Sequence, residues 1–309
     1  MRIVSLLPSA TEIVCALGLG DELVGRTHEC DYPPEVAAVP VVTASVGGTE
    51  EDASREIHAR VAESVHRGSS IYRLDRQALA DARPDLILTQ ELCEVCAVAY
   101  REVAQAVREL EAEATVISLE PTSVEGILNT ISTVGAMSDA EDEAVGLLEL
   151  LRERLAEVES RVLERRVAGL PPRRVVCLEW LEPPFAAGHW VPEQVRRAGG
   201  WELLGTAGER SSQTEWDRLR DVDPDLLLLM PCGFDAQRTA DEWRTATKPD
   251  WLAELRAVRE GTVYALDGSA YFSRPGPRVV DGVELLAGLF DPTGGYTTQL
   301  PDDAWIAVH

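Results

Sequence analysis

Lysine is almost missing from this chain. Lys248 is the only one among 29 basic residues, against 53 acidic ones, and the formal net charge is −24. That balance excludes a broad nucleic-acid surface, because phosphate binding draws on Lys and Arg in excess. It also disfavours an anionic membrane surface, whereas a highly soluble acidic shell fits it. Long apolar runs are missing too. None approaches the roughly 18 residues of a membrane span, so no membrane insertion is expected. The opening run Met1–Leu7 is cut by Pro8, and Glu12 interrupts the next apolar stretch, which is too short for a secretory signal. The chain as it stands therefore reads as cytoplasmic, and as periplasmic or extracellular only if a signal segment was removed. Three enzyme signatures are absent: the Gly-x-x-x-x-Gly-Lys phosphate loop, Gly-x-Gly-x-x-Gly after a strand, and the Gly-x-Ser-x-Gly elbow. Aromatics make up only 6%, which makes their placement informative.

What is present alternates short β-rich runs with helical ones, an α/β pattern. The spacing predicts strands at 2–7, Leu23–Arg26, 40–43, 86–90 and 115–119. In the second half it predicts strands at 174–180, 226–230 and 262–266, with helices at 192–198 and 277–289. Capping-box patterns at Ser9–Glu12, Thr122–Glu125 and Ser138–Glu141 open three helices. The third is the longest, with Val145, Leu148, Leu151, Leu155, Val158 and Val162 on one apolar stripe. A polar stretch from Ala44 to Leu74 with a helical centre reads as a lid. The expected architecture is two Rossmann-like α/β lobes, residues 1–136 and 170–290, joined by a linker helix over 137–169, with a loop-like tail at 291–309. A continuous linker helix resists hinge opening, since bending it breaks several main-chain hydrogen bonds.

Loops that leave the carboxyl ends of parallel strands gather at one edge, where ligands bind. The first such loop holds His28, Cys30 and Tyr32, and the second holds Cys93 and Cys96. A third runs from Glu179 through Trp180 and Phe185 to His189 and Trp190. A fourth holds Cys232, and a fifth holds Tyr271, Phe272 and Arg274. Tyr32, Trp180, Phe185, Trp190, Tyr271 and Phe272 together suit a flat, largely apolar ligand. Glu179 interrupts an apolar strand, and an acid there serves as a ligand, a proton acceptor or a partner of Arg274 or Arg278.

Six cysteines in a reducing compartment point to metal or redox chemistry more than to disulfides. Cys30, Cys93 and Cys96 with His28 could fill a tetrahedral zinc site, and the three thiols alone could hold an iron–sulfur cluster. His189 and Cys232 are further candidate ligands. Reduced, unliganded thiols or a redox pair are the competing readings. Cys15 and Cys177 read as core.

The segments Val4–Glu12, Asp31-Tyr32-Pro33-Pro34, Pro84-Asp85-Leu86-Ile87, Pro183-Pro184-Phe185 and Arg274–Arg278 occur in an order that resembles the class III periplasmic binding proteins. The likeness is to their vitamin B12 (cobalamin) binding members, which serve ABC importers. It runs from Arg2 to about Leu289. It implies the helical-backbone metal-receptor fold, with a corrinoid or other metal chelate held between two lobes and an ABC transporter permease as partner. Carried over by position, Tyr32, Phe185 and Tyr271 would be the ring contacts. Two readings follow. One is a cytoplasmic or transporter-associated binding protein for a small-molecule metal chelate, with cobalamin as its ligand. The other is a cytoplasmic metal- or iron–sulfur-dependent enzyme using Cys30, Cys93 and Cys96.

Overall fold

A computed structural model describes residues 1–45, 52, 54–66, 72–90, 100–109, 113–292 and 300–308. The chain divides into two compact units. The first is Met1–Asp52, Glu56–Pro121 and Glu125–Glu149, and the second is Ala53–Arg55, Thr122–Val124 and Leu150–His309.

In chain order the first part contains β1 (Ile3–Ser5), α1 (Pro8–Ala16), β2 (Leu23–Arg26), β3 (Thr43–Ser45) and α2 (Ser54–His66). Then follow β4 (Tyr72–Leu74), α3 (Arg76–Ala82), β5 (Leu86–Thr89), α4 (Tyr100–Glu109), β6 (Thr115–Ser118), α5 (Val124–Met137) and α6 (Glu141–Val167). The main sheet of the first unit is parallel in the order β2-β1-β5-β6. Helical crossovers cover both faces of such a sheet, so its central strands are apolar throughout rather than alternating. Ile3, Val4, Ile87 and Leu88 accordingly have no solvent exposure. Val4, Leu6 and Ile87 pack with Leu79, Val103 and Ala106 in one core cluster.

Local details depart from the sequence expectation in instructive ways. The helix cap of α1 is Leu7, with Pro8 in the first turn, and its side chain makes no capping bond. Ser9 and Glu12 lie inside the helix and are buried, so the capping box does not form there. Proline fits the first turn because the amide it lacks has no partner there anyway. The Ser138 hydroxyl likewise donates back to Val134 O at 2.6 Å. The strand expected at 40–43 starts later, as β3, and pairs antiparallel with β4, leaving one isolated bridge from Val41 to Arg26. On α6, Leu148, Leu151, Leu155 and Val158 are buried as the stripe predicts, but Val145 is exposed.

The second unit contains β7 (Arg173–Leu181), β8 (Pro184–Ala186), α7 (Val191–Arg197), β9 (Gly200–Glu202), β10 (Ser212–Gln213), α8 (Trp216–Val222) and β11 (Leu226–Leu229). It continues with α9 (Ala236–Thr245), α10 (Arg256–Arg259), β12 (Val263–Leu266), α11 (Gly268–Tyr271), α12 (Val279–Phe290) and β13 (Trp305–Ala307). Its sheet runs β10-β8-β7-β11-β12-β13, with β9 also on β7. The β7, β9, β11 and β12 pairings are parallel, and β8, β10 and β13 are added antiparallel. The Leu226–Leu229 run is buried at every position, as the centre of a two-sided sheet requires. The tail expected to be a loop instead supplies β13.

Candidate functional site

In the first unit the chain leaves β1 toward β2 on one side, and leaves β5 toward β6 on the other. The crevice outside the carboxyl ends of β1 and β5 is thus the topological switch point of this sheet. Gln90, at the β5 exit, is buried. Cys93 and Cys96 lie beyond it, outside the described residues.

The loop leaving β2 is tied down by one side chain. The Arg26 guanidinium donates to the carbonyls of Thr27 (3.2 Å), Cys30 (3.0 Å) and Val39 (3.2 Å). A planar fork of five donors can brace a loop in this way where an ammonium could not. Val36, buried in the following single turn, anchors the far side. Tyr32 stands out of this frame at 44% exposure. Cys30 does not. It is buried, and its sulfur lies 2.9 Å from Thr11 Oγ1 on α1. The expectation that Cys30 shares an open rim with other ligands is therefore corrected: the loop turns its thiol inward, against the helix.

His28 is held in the same loop. Its ring Nδ1 lies 2.7 Å from Thr43 Oγ1, its backbone amide donates to that oxygen at 3.1 Å, and its ring meets Tyr72 at 5.1 Å between centroids.

In the second unit the exits of β7, β11 and β12 are joined. The Cys232 amide donates to Glu179 O at 3.3 Å, and the Ser269 amide donates to Phe234 O at 3.1 Å. Gly268 opens α11 directly against the β11 exit, where a Cβ would fall 2.4 Å from Pro231 O, so only glycine fits. Asp267 caps α11 through the Ala270 amide at 2.7 Å, and burial raises its carboxyl above the usual range. At this edge Trp180 is half-buried, 5.7 Å from the Phe234 ring, and the Arg238 guanidinium lies over that same ring, 3.6 Å from its centroid. Phe185 sits opposite Trp180 in the β7–β8 pairing and is also half-buried. The Trp180 indole donates to Ser54 O at 3.1 Å, and the Glu242 carboxylate accepts from the Ser54 amide at 3.1 Å. Phe234, Arg238, Ser54 and Glu242 were not foreseen. The only signal was Phe234 closing the Pro231-Cys232-Gly233 turn after an apolar run.

The expected third loop, from Glu179 to Trp190, is in fact a hairpin. β8 runs back along β7, so that Ala186 faces Leu178 and the Ala187 amide reaches Cys177 O. His189 and Trp190 are thereby carried away from the strand exits that hold Glu179, Trp180 and Phe185. Trp190 is buried, and its indole donates to Phe272 O at 2.9 Å. Phe272 and Tyr271 are buried as well, and Gln194 donates to Tyr271 O at 3.1 Å. Trp190 and Phe272 are therefore internal pins rather than open ring surfaces. Burial, first of all, pushes the Tyr271 hydroxyl up to about 12. Arg274 is half-buried beside this segment. His189 takes a left-handed backbone (φ 51), and burial followed by the charge of Arg210 lowers its ring pKa.

Cys232 is exposed and Cys15 half-buried, while Cys177 is fully buried with its thiol pushed up by burial. Among the described residues no group of three or more His, Cys, Asp or Glu is placed to hold a metal ion. None of the described helices is long and apolar enough to cross a membrane.

A largely parallel α/β sheet in each unit, with α6 contributing residues to both, makes up the periplasmic binding protein fold. The profile of the periplasmic binding protein family matches residues 3–270, and the chain belongs to that family. An ABC transporter substrate-binding lipoprotein, YvrC of Bacillus subtilis (strain 168), is 26% identical over 294 residues, covering 93% of this chain and 78% of that protein. A vitamin B12-binding protein of Vibrio cholerae is 24% identical over 287 residues, covering 92% and 86%. The crystal structure of the periplasmic vitamin B12 binding protein BtuF of Vibrio cholerae superposes with a TM-score of 0.67 at 22% identity, covering 94% and 96%. A periplasmic heme binding protein from Pseudomonas aeruginosa gives 0.70 at 20% identity, covering 94% and 93%.

Proposed function

We propose that this protein binds a corrinoid of the cobalamin type, as the substrate-binding partner of an ABC permease. Relatives with a cobalamin-binding name support the ligand class, and the heme-binding neighbour makes a planar iron chelate the alternative within the same class. The observation that carries the reading is aromatic surface at strand exits. Tyr32 is exposed on the braced loop after β2, and Trp180 and Phe185 are half-buried at the head of the β7–β8 hairpin. Flat rings suit the apolar face of a macrocycle, while the polar groups Glu179 and Arg274 suit its edge substituents. The enzyme reading drew on Cys30, whose thiol is turned against Thr11, and no named relative reported above is named for a reaction.

Titration with cyanocobalamin and, separately, with haem tests this through the absorption spectrum of the eluted protein. One equivalent of corrinoid should co-elute. Trp180→Ala and Tyr32→Ala should each weaken binding about tenfold, equivalent to about 1.4 kcal/mol. Uptake of haem alone would move the assignment to iron chelates, and uptake of neither would overturn it.

A further inference from the structure

We propose that His28 and Glu29 form a seat for a divalent transition-metal ion, independent of the chelate reading. Thr43 Oγ1 donates its hydrogen to Thr27 Oγ1 at 2.9 Å, so it can only accept from His28 Nδ1 at 2.7 Å. A bare Nδ1 there would set two lone pairs against each other. The hydrogen-bond pattern therefore assigns the hydrogen to Nδ1 and leaves the lone pair on Nε2. That nitrogen is buried and has no hydrogen-bond partner. A buried polar atom without a partner is costly unless something completes it.

Glu29 Oε1 lies 3.3 Å from Nε2 but off the line that a hydrogen bond needs. A lone pair and a carboxylate oxygen side by side attract a cation. A tetrahedral ion bound at about 2.0–2.1 Å to nitrogen and about 2.0–2.2 Å to oxygen separates the two donors by about 3.3–3.5 Å. The observed spacing matches that bite, and an oxygen shared with one ion sits off the nitrogen axis, as here. Water would complete the shell, since the loop supplies two donors. Thr43 acts as a positioning residue: by accepting from Nδ1 it fixes the tautomer that metal binding requires. The Tyr72 ring, 5.1 Å away, limits rotation of the imidazole.

Zinc titration of the full chain carrying Cys93→Ser and Cys96→Ser tests this without those two thiols. That protein should take up one equivalent of Zn²⁺ by equilibrium dialysis. His28→Ala and Glu29→Ala should each weaken uptake at least tenfold, and Thr43→Val several-fold. Nitrogen NMR of the imidazole should show hydrogen on Nδ1 before metal, and a shift of Nε2 on adding Zn²⁺. Absence of Zn²⁺ uptake, an Nε2 that stays protonated beside Glu29, or uptake unchanged in both single variants would overturn the proposal. If His28→Ala fails to fold by circular dichroism, Glu29→Ala at the half-exposed carboxylate decides.

Discussion

The two units present the same kind of edge, the carboxyl ends of parallel strands, but hold it with different chemistry. In the first, the loop after β2 is fixed by hydroxyls and a guanidinium: Thr27, Thr43 and Arg26 gather ring nitrogen and carbonyls around His28 and Cys30. In the second, indole N–H groups and buried carboxylates do the fixing. Trp180 reaches Ser54, Trp190 reaches Phe272, and Glu202 accepts from the amides of Cys177 (3.2 Å), Leu204 (2.7 Å) and Gly205. Hydroxyls and guanidinium do not titrate near neutral pH, whereas a buried carboxylate does. The second edge should therefore carry a pH dependence through its buried carboxylate.

The largest effect expected is at Trp190. Trp190→Ala removes a buried ring and leaves Phe272 O without its donor, so it should cost about 3–5 kcal/mol in urea unfolding. Trp180→Ala, at the half-buried edge, should cost far less while weakening ligand. Equal losses of stability at the two would erase the distinction between pin and rim.

The next effect is a pH slope. Burial, outweighing its backbone donors, raises the Glu202 carboxyl from 4.5 to about 7. Between those values the folded state keeps a proton that the unfolded chain has lost. Stability should thus fall as pH rises through that window, by up to about 3 kcal/mol. Glu202→Gln should flatten that limb in urea titrations from pH 4 to 8. An unchanged slope would place the titration elsewhere.

Arg26→Lys comes third. Losing the fork should cost about 1–2 kcal/mol and loosen Tyr32, visible as faster hydrogen exchange confined to 27–39. Exchange spreading evenly through the unit would show that Arg26 does not act locally. Smallest is Tyr32→Ala, whose effect on unfolding should stay within about 0.5 kcal/mol even as ligand binding weakens, because the ring is exposed. A larger loss would make Tyr32 part of the core.

The sequence carried the α/β class and many strands because buried parallel strands are apolar at every position, and a run such as Leu226–Leu229 is visible without context. Leu23–Arg26 matched the observed strand to the residue. What escaped was nonlocal. Pro183-Pro184 reads as a loop, and only pairing with β7 makes Pro184–Ala186 a strand that carries His189 and Trp190 away from the edge. Trp190 and Trp180 look alike in sequence, since burial depends on what another part of the chain places over them. Cys30 was expected outward because loops usually face solvent, but Thr11 waits behind it on α1. The Ser9–Glu12 pattern failed because Pro8 moved the helix start back to Leu7.

The short strand β13 has a consequence for handling the protein. It pairs antiparallel with β12, its Trp305 ring packs edge-on against Tyr264 at 5.3 Å, and the Val308 amide closes on Val263 O at 2.9 Å. Without it the backbone of β12 would offer a row of unpaired amides and carbonyls, the kind of template that recruits strands from other chains. A version trimmed at residue 300 should scatter light increasingly as it is concentrated, while the longer chain stays clear: these few residues act as a guard against self-association.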